Sequence, residues 1–389
     1  MGALKVFLIA GEASGDKLGA ALMAGLKSLR AVEFQGVAGP LMQAEGMQSL
    51  FPMEELSVMG LAEILPKYRQ LKRRIDQTAQ AVLDAQPDVL ITIDSPDFCL
   101  RVARRVKAAS RIRTVHYVAP TVWAWRAGRA EKMAQVIDQV LALFPFEPPY
   151  MEAAGMRCDF VGHPVVSEPV ASDVQAASFR SDNGLVDAPL LLLLPGSRRG
   201  EVGRLMPVFS EVCDKLCKDM PQLRVVIPAV AHVADMIVDA TKGWKTPPLV
   251  LDPRQADAAR FAAQKRAAFR AADVALAASG TVSLELAASA TPMVIAYDMS
   301  WLSRQIISRM LKVDTVTLVN LVSDTRAVPE FIGAHCRADL IAPAVRAVLA
   351  DPMAQHDAMD LTMERLGRGQ ADPGIRAATA VLSGLGTEP

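Results

Sequence analysis

Short apolar runs alternate with stretches of helical periodicity over most of the chain. Residues 6–10, 89–93, 115–118 and 140–143 are nearly all apolar, which predicts strands covered by helices on both faces. Residues 190–194, 224–228, 273–277 and 293–297 repeat the pattern. Between them helices are predicted over 17–30, 100–109, 201–219, 256–271 and 282–288, where apolar positions recur at helical spacing. Strand and helix alternating in two successive blocks predict two doubly wound, Rossmann-like α/β domains. The least regular stretch, 164–189, carries Ser, Asp, Asn and Gly with no long apolar run, and the interdomain linker is expected there. The expected division is a first domain over 1–168, a second over 169–350, and a helical tail over 351–389. The tail is expected to pack back on the first domain or on a partner chain.

Composition narrows the function classes. A length of 389 residues suits two domains of this kind, and 51% apolar residues exclude a disordered chain. With 42 basic and 42 acidic residues there is no global charge to attract polyanions, and 5% aromatics is thin for a stacking surface. No nucleic-acid partner is expected. Cys99, Cys158, Cys213, Cys217 and Cys336 are scattered, and nothing near the CxxxC pair completes a zinc site. They read as reduced packing thiols of a cytosolic protein. No segment has the roughly 18–20 apolar residues of a membrane span. The run at 6–10 is too short for a signal peptide and meets Gly11-Glu12 at once. The chain is therefore expected to be soluble or attached to a membrane from outside.

Ligands of open α/β sheets bind beyond the carboxyl ends of the strands, so the turns there carry the candidate chemistry. The first is Gly11-Glu12-Ala13-Ser14-Gly15-Asp16, spaced GxxxGxxxG through Gly19 rather than as a dinucleotide fingerprint. It reads equally as a ligand-approach turn or as a tight turn with close helix packing. After 89–93 come Asp94-Ser95-Pro96-Asp97. Asp97 is placed to cap the helix that follows, whereas Asp94 has no helix to cap and is the stronger candidate for a general base. Trp123, Trp125 and Arg126 form either a ligand wall or loop packing. His116, on a strand, reads as a hydrogen-bonded core residue.

In the second block, Gly196, Ser197, Arg198 and Glu201 follow a strand and open a helix without the Lys-Ser/Thr of a P-loop. Amide N–H groups, a hydroxyl and a guanidinium here make an anion site. Ser279, Gly280 and Thr281, with Glu285 one turn later, supply a second such turn, or else an N-cap with its first-turn acid. Together the two turns favour a diphosphate. Without a DxD motif, no metal site and no cofactor are expected.

Charge is uneven. Between 67 and 130 there are 13 basic and 5 acidic residues, and Lys67, Arg69, Lys72, Arg73 and Arg74 crowd into eight positions. This is either a solvated helix face or a surface for anionic lipid headgroups or a phosphorylated acceptor.

Taken in order, GEASGD at 11–16, VAGP and MQAEG at 37–46, MEEL and VMG at 53–60, IDSPDF at 93–98, HYVAPTVWAWR at 116–126, LFPFE at 143–147, VGH at 161–163, LPGSR at 194–198 and Ser279–Thr281 with Glu285 resemble the lipid-A-disaccharide synthase family. The likeness runs from residue 3 to about 330. It implies a GT-B glycosyltransferase, its two domains facing a cleft, inverting and metal-independent. The implied donor is UDP-2,3-diacylglucosamine and the acceptor 2,3-diacylglucosamine 1-phosphate, joined by a β-1,6 bond. It further implies peripheral attachment to the cytoplasmic face of a Gram-negative inner membrane, and a homodimer formed by exchange of the C-terminal tail. The family's essential Asp falls on Asp94, its diphosphate arginine on Arg198 and its uridine-diphosphate asparagine on Asn320. Gly11, Glu12, Ser14, Gly15, Asp97, Trp123, Trp125 and Arg126 fall on the acceptor side. Ser95 and Cys99 depart from the common Ala and Asn. Same-architecture rivals are another N-acetylglucosaminyl transferase or a UDP-sugar epimerase; a non-catalytic binder is the rival of another class.

Overall fold

The computed structural model describes residues 2–56, 61–122, 128–299 and 314–386, with the side chains of 61–68 outside that description. The chain forms two compact units, Met1–Ser167 with Leu366–Pro389, and Glu168–Arg365.

The first unit is built on β1 (Leu4–Ala10), β2 (Val32–Val37), β3 (Val89–Ile93), β4 (Arg113–Tyr117), β5 (Gln139–Ala142) and β6 (Arg157–Phe160), ordered β2-β1-β3-β4-β5-β6. The second is built on β7 (Leu190–Leu194), β8 (Arg224–Pro228), β9 (Leu249–Leu251), β10 (Val274–Ala278), β11 (Met293–Tyr297) and β12 (Glu330–Ile332), ordered β12-β11-β10-β7-β8-β9. Every pairing is parallel. Central strands β3, β7 and β10 are buried along their whole length, as strands sandwiched between helix layers must be. The doubly wound α/β architecture expected from the apolar runs is present in both units.

Helices begin earlier than their apolar periodicity does. The predicted helices at 17, 100 and 201 start at Ala13, Pro96 and Arg199, because their first turns are made of the polar, Gly and Pro residues of the preceding strand-end turn. Helix Leu61–Ala85 carries the basic run that the sequence reads as either a solvated helix face or a lipid surface, and its bounds were not predicted. The stretch 164–189 holds the helix Asp173–Asp182, closed by a reciprocal Ser172–Gln175 capping box and burying Ala176 and Phe179.

The expected tail is divided. Helix Met353–Arg365 belongs to the second unit, whereas Pro373–Gly384 belongs to the first. There it lies on helix Ala13–Leu29, backbone to backbone: a Cβ on Gly25 would stand 2.5 Å from the Gly374 carbonyl oxygen, and one on Gly374 2.5 Å from that of Ala21. Ala377, Ala378, Val381 and Leu382 join the first unit's core. Among the described residues, no helix is long and apolar enough to cross a membrane. All five cysteines are free thiols, four of them buried.

Candidate functional site

A doubly wound sheet offers its ligand crevice where the strand order reverses. In the first sheet that point lies between β1 and β3. The turns leaving these strands touch: a Cβ on Gly11 would stand 2.4 Å from Ser95 Oγ, and one on Gly15 3.4 Å from the Ile93 carbonyl oxygen. Asp94 and Ser95 hold consecutive left-handed conformations, φ +51° and +43°, and Val118 after β4 has φ +84°. Three strained non-glycine residues thus gather at adjoining strand ends, where strain commonly marks a site. The Asp94 amide donates to the Tyr117 carbonyl at 3.0 Å, which fixes the turn.

Asp94, Asp97 and Glu12 line a pocket of about 440 Å³. Its wall includes Leu56, Leu71, Ile75 and Phe98, and its cations are Lys72, Arg101 and Arg105. The N-cap of helix Pro96–Ala109 is Ser95 rather than Asp97. Asp97 lies instead in the first turn, exposed, where the helix dipole favours an acid. Cys99 is fully buried below, and burial, reinforced by the Asp94 charge, pushes its thiol far above the ordinary range. It is a packing group.

Other motif residues turn inward. Asp16 is buried and accepts from the Leu41 and Met42 amides at 2.9 and 3.0 Å, holding the Pro40–Ala44 turn against the helix. Glu147 accepts from the Leu143 and Phe144 amides at 3.1 and 3.0 Å. His116 is buried, hydrogen-bonded to Thr92 at 2.7 Å, and burial lowers its pKa to about 4. It is the core residue its strand position predicted.

The basic run divides. Arg74 binds Glu55 through Nε at 2.8 Å and Nη2 at 2.6 Å and lies over the Phe51 ring at 4.4 Å. Those hydrogen bonds, with that of Gln70, lower the Glu55 pKa to about 2. Arg74 is therefore a structural cation and not part of an open lipid surface. Lys72 lines the Asp94 pocket, and Arg69, Lys72 and Arg73 are all exposed. Ser14 is exposed outside the pocket lining. Trp123, Trp125, Arg126 and the side chain of Lys67 lie outside the described residues.

In the second sheet the order reverses between β7 and β10. The turns leaving them line a pocket of about 670 Å³ that brings together Gly196, Ser197, Arg198, Glu201, Ser279, Gly280, Thr281 and Glu285. Gly196 has φ +101°, and a Cβ there would stand 2.7 Å from Glu201 Oε2, so the turn needs glycine twice over. Glu201 anchors Arg198 at 3.3 Å, yet the arginine side chain remains 65% exposed, leaving donors for an anion. Thr281 occupies the N-cap of helix Val282–Ala288 without a side-chain capping bond. Its hydroxyl is therefore not consumed by the helix.

Sequence reasoning missed Lys265, which binds Glu285 at 2.7 Å and sets its carboxylate in the pocket wall. Phe261 and residues 228–231 line the same pocket. They sit in no motif. Asn320 does not line this pocket. It is buried, its Nδ2 donating to the Val328 carbonyl at 2.9 Å and its Oδ1 accepting the Val328 amide at 3.0 Å. A side-chain amide spent on both backbone groups of one residue is a loop brace.

Comparison with known proteins agrees with these features. The sequence profile of the family described as lipid-A-disaccharide synthetase matches residues 6–378. The lipid-A-disaccharide synthase of Ruegeria pomeroyi is 63% identical, covering 98% of this chain and 96% of the relative. That of Rhodospirillum centenum is 47% identical over 98% and 94%. Among solved structures, the S. aureus MnaA–UDP complex superposes with TM-score 0.64 at 13% identity, covering 99% of each chain. The UDP-GlcNAc 2-epimerase of Neisseria meningitidis bound to UDP-GlcNAc gives 0.61 at 12%, also over 99% of each. At such identities the structures show the fold, which is GT-B. The extent of the profile match and the identity to relatives along nearly their whole length place the chain in the lipid-A-disaccharide synthase family, glycosyltransferases of lipid A biosynthesis.

Proposed function

We propose that the chain transfers the 2,3-diacylglucosaminyl group of UDP-2,3-diacylglucosamine to the 6-hydroxyl of 2,3-diacylglucosamine 1-phosphate, inverting the anomeric centre to give a β-1,6 bond and UDP. The observation that carries this reading is the Asp94 carboxylate at the first sheet's reversal point, in a pocket lined by both cations and apolar side chains. An acylated, phosphorylated sugar matches both halves of that lining.

In this mechanism the donor occupies the second unit's pocket, its diphosphate on the turns at 196–201 and 279–285. Asp94 takes the proton of the acceptor 6-hydroxyl as O6 forms its bond to the anomeric carbon. The bond from that carbon to the diphosphate breaks, and its electron pair stays on the leaving oxygen. Arg198 and the amide and hydroxyl donors of the two turns meet that growing charge, which makes their contribution largest in the transition state. These groups fill the role that a divalent ion has in other nucleotide-sugar enzymes, so transfer is expected to survive a chelator.

UDP release from the donor, measured with and without the acyl-sugar phosphate in detergent and EDTA, tests the reading. Acceptor-dependent release is expected; release without acceptor would make the protein a hydrolase, and no release with both sugars a binder. Peripheral association with the cytoplasmic face of the inner membrane belongs to the same reading, with Arg69, Lys72 and Arg73 among the exposed cations. Salt-insensitive sedimentation with anionic vesicles would count against it. In an exchanged homodimer, the partner's copy of the Pro373–Gly384 helix would take the seat against Ala13–Leu29.

A further inference from the structure

We propose that the first unit's pocket contains a dedicated phosphate subsite, formed by Arg101 and Lys72 and backed by Arg105, which fixes the acceptor by its phosphate while Asp94 addresses its hydroxyl. The proposal rests on the transferase reading and names the part of the site that takes the acceptor's charge.

Asp97, Arg101 and Arg105 are spaced i, i+4, i+8 on helix Pro96–Ala109, so they share one stripe, and all three line the pocket. Arg105 is already engaged, its Nε 2.9 Å from Asp76 and its Nη1 donating to the Arg101 carbonyl at 3.3 Å. Arg101 and Lys72 line the same pocket and, among the described residues, have no ion-pair or hydrogen-bond partner for their side chains. Other cations nearby, such as Arg74 and Lys107, are each held by a carboxylate. An unpaired guanidinium and ammonium facing one cavity are suited to a dianion, the guanidinium with a bidentate fork.

The lining of this pocket carries charges of both signs. Glu12 and Asp94 stand at the strand ends and Asp97 in the first turn of the helix, whereas Arg101 follows one helical turn after Asp97, about 6 Å along the axis. Helical side chains lean toward the N-terminus, which carries the Arg101 guanidinium back over the cavity. A ligand with a hydroxyl at one end and a phosphate at the other meets the proper group at each.

Phosphate chemistry could also come from a bilayer headgroup, and the test separates the sources. Full-length wild type, Arg101→Ala, Arg101→Lys and Lys72→Ala are assayed with 2,3-diacylglucosamine 1-phosphate and with its dephosphorylated counterpart. Arg101→Ala is expected to raise KM for the phosphorylated acceptor about 10- to 100-fold, with kcat changed far less and the dephosphorylated acceptor unaffected. Arg101→Lys should recover part of the loss. Equal losses with both acceptors overturn the proposal. UDP affinity checks that the variants are folded. In a second arm, sedimentation with phosphatidylglycerol vesicles is expected to be the same for Arg101→Ala and wild type. Weakened sedimentation with unchanged phosphate discrimination assigns the cations to headgroups and overturns the subsite. Wild type that transfers to neither acceptor removes the transferase reading; titration with the two acyl sugars then decides the subsite separately, equal affinities overturning it.

Discussion

At Asp94 the chain leaves β3 through two residues with positive φ, a conformation that costs about 1–3 kcal/mol per residue. This decides which substitution tests the base. Asn tolerates the left-handed region, so Asp94→Asn removes the charge and keeps the turn, whereas Ala adds strain to the loss. Turnover of Asp94→Asn is expected to fall at least about 100-fold with UDP affinity unchanged; a matching loss of UDP affinity would take the base role from Asp94. Opposite behaviour is expected of Arg198→Ala, a loss of UDP affinity of about 10- to 100-fold read by titration. His116 gives a pH signature instead. Its folded pKa is lowered to about 4 by burial, against about 6.5 in the unfolded chain. Between these values the unfolded state binds the extra proton, so stability must fall as pH drops from 6.5 toward 4, by about 3 kcal/mol in all. Denaturant melts of wild type and His116→Gln across that range should show a shallower slope in the variant. At this scale Asp94 and the two glycine turns were legible because strand-end turns advertise themselves. Lys265 was not, since it acts through Glu285, twenty positions away in sequence, and Arg101 was not, since it lies in no motif.

Among the elements, the eight strands anticipated from apolar runs are the inner strands of the two sheets, and the four missed, β2, β6, β9 and β12, are their edges. The reason is physical. An inner strand is covered on both faces and between neighbours, so its sequence is mostly apolar and its polar groups pair inside, as Thr92 does with His116. An edge strand keeps one side toward water: β2 reads VEFQGV with alternating exposure, and β9 and β12 have only three residues each. Periodicity also fails to reveal close helix approach, which here depends on single glycines. Gly25→Ala must displace the Gly374 backbone, so a stability loss of about 1–3 kcal/mol is expected. Gly243→Ala, with open space around its would-be Cβ, should be near neutral. Thermal melts of the two variants compare them directly, and equal melting temperatures would mean the helix pair relaxes without cost.

The whole molecule keeps its two candidate pockets on different units, the Asp94 pocket within Met1–Ser167 and the Arg198 pocket within Glu168–Arg365. Each unit has its own apolar core, and the last helix, far along the chain, belongs to the first core rather than the second. The two-block alternation of strand and helix made this architecture legible, and the tail was expected to return to the first domain or to a partner chain. What was not legible is that only Pro373–Gly384 returns while Met353–Arg365 stays with the second unit, because an amphipathic helix records that one face is covered and not by what. A ligand that binds only the native second unit must stabilise that unit selectively, by about 2.7 kcal/mol at a hundredfold excess over Kd. Hydrogen exchange with and without UDP should therefore show slowed exchange in β7 and β10 and their following turns, with β1 and β3 unchanged. Uniform slowing through both sheets would mean that the units open together, and UDP would then stabilise the first unit as well as the second.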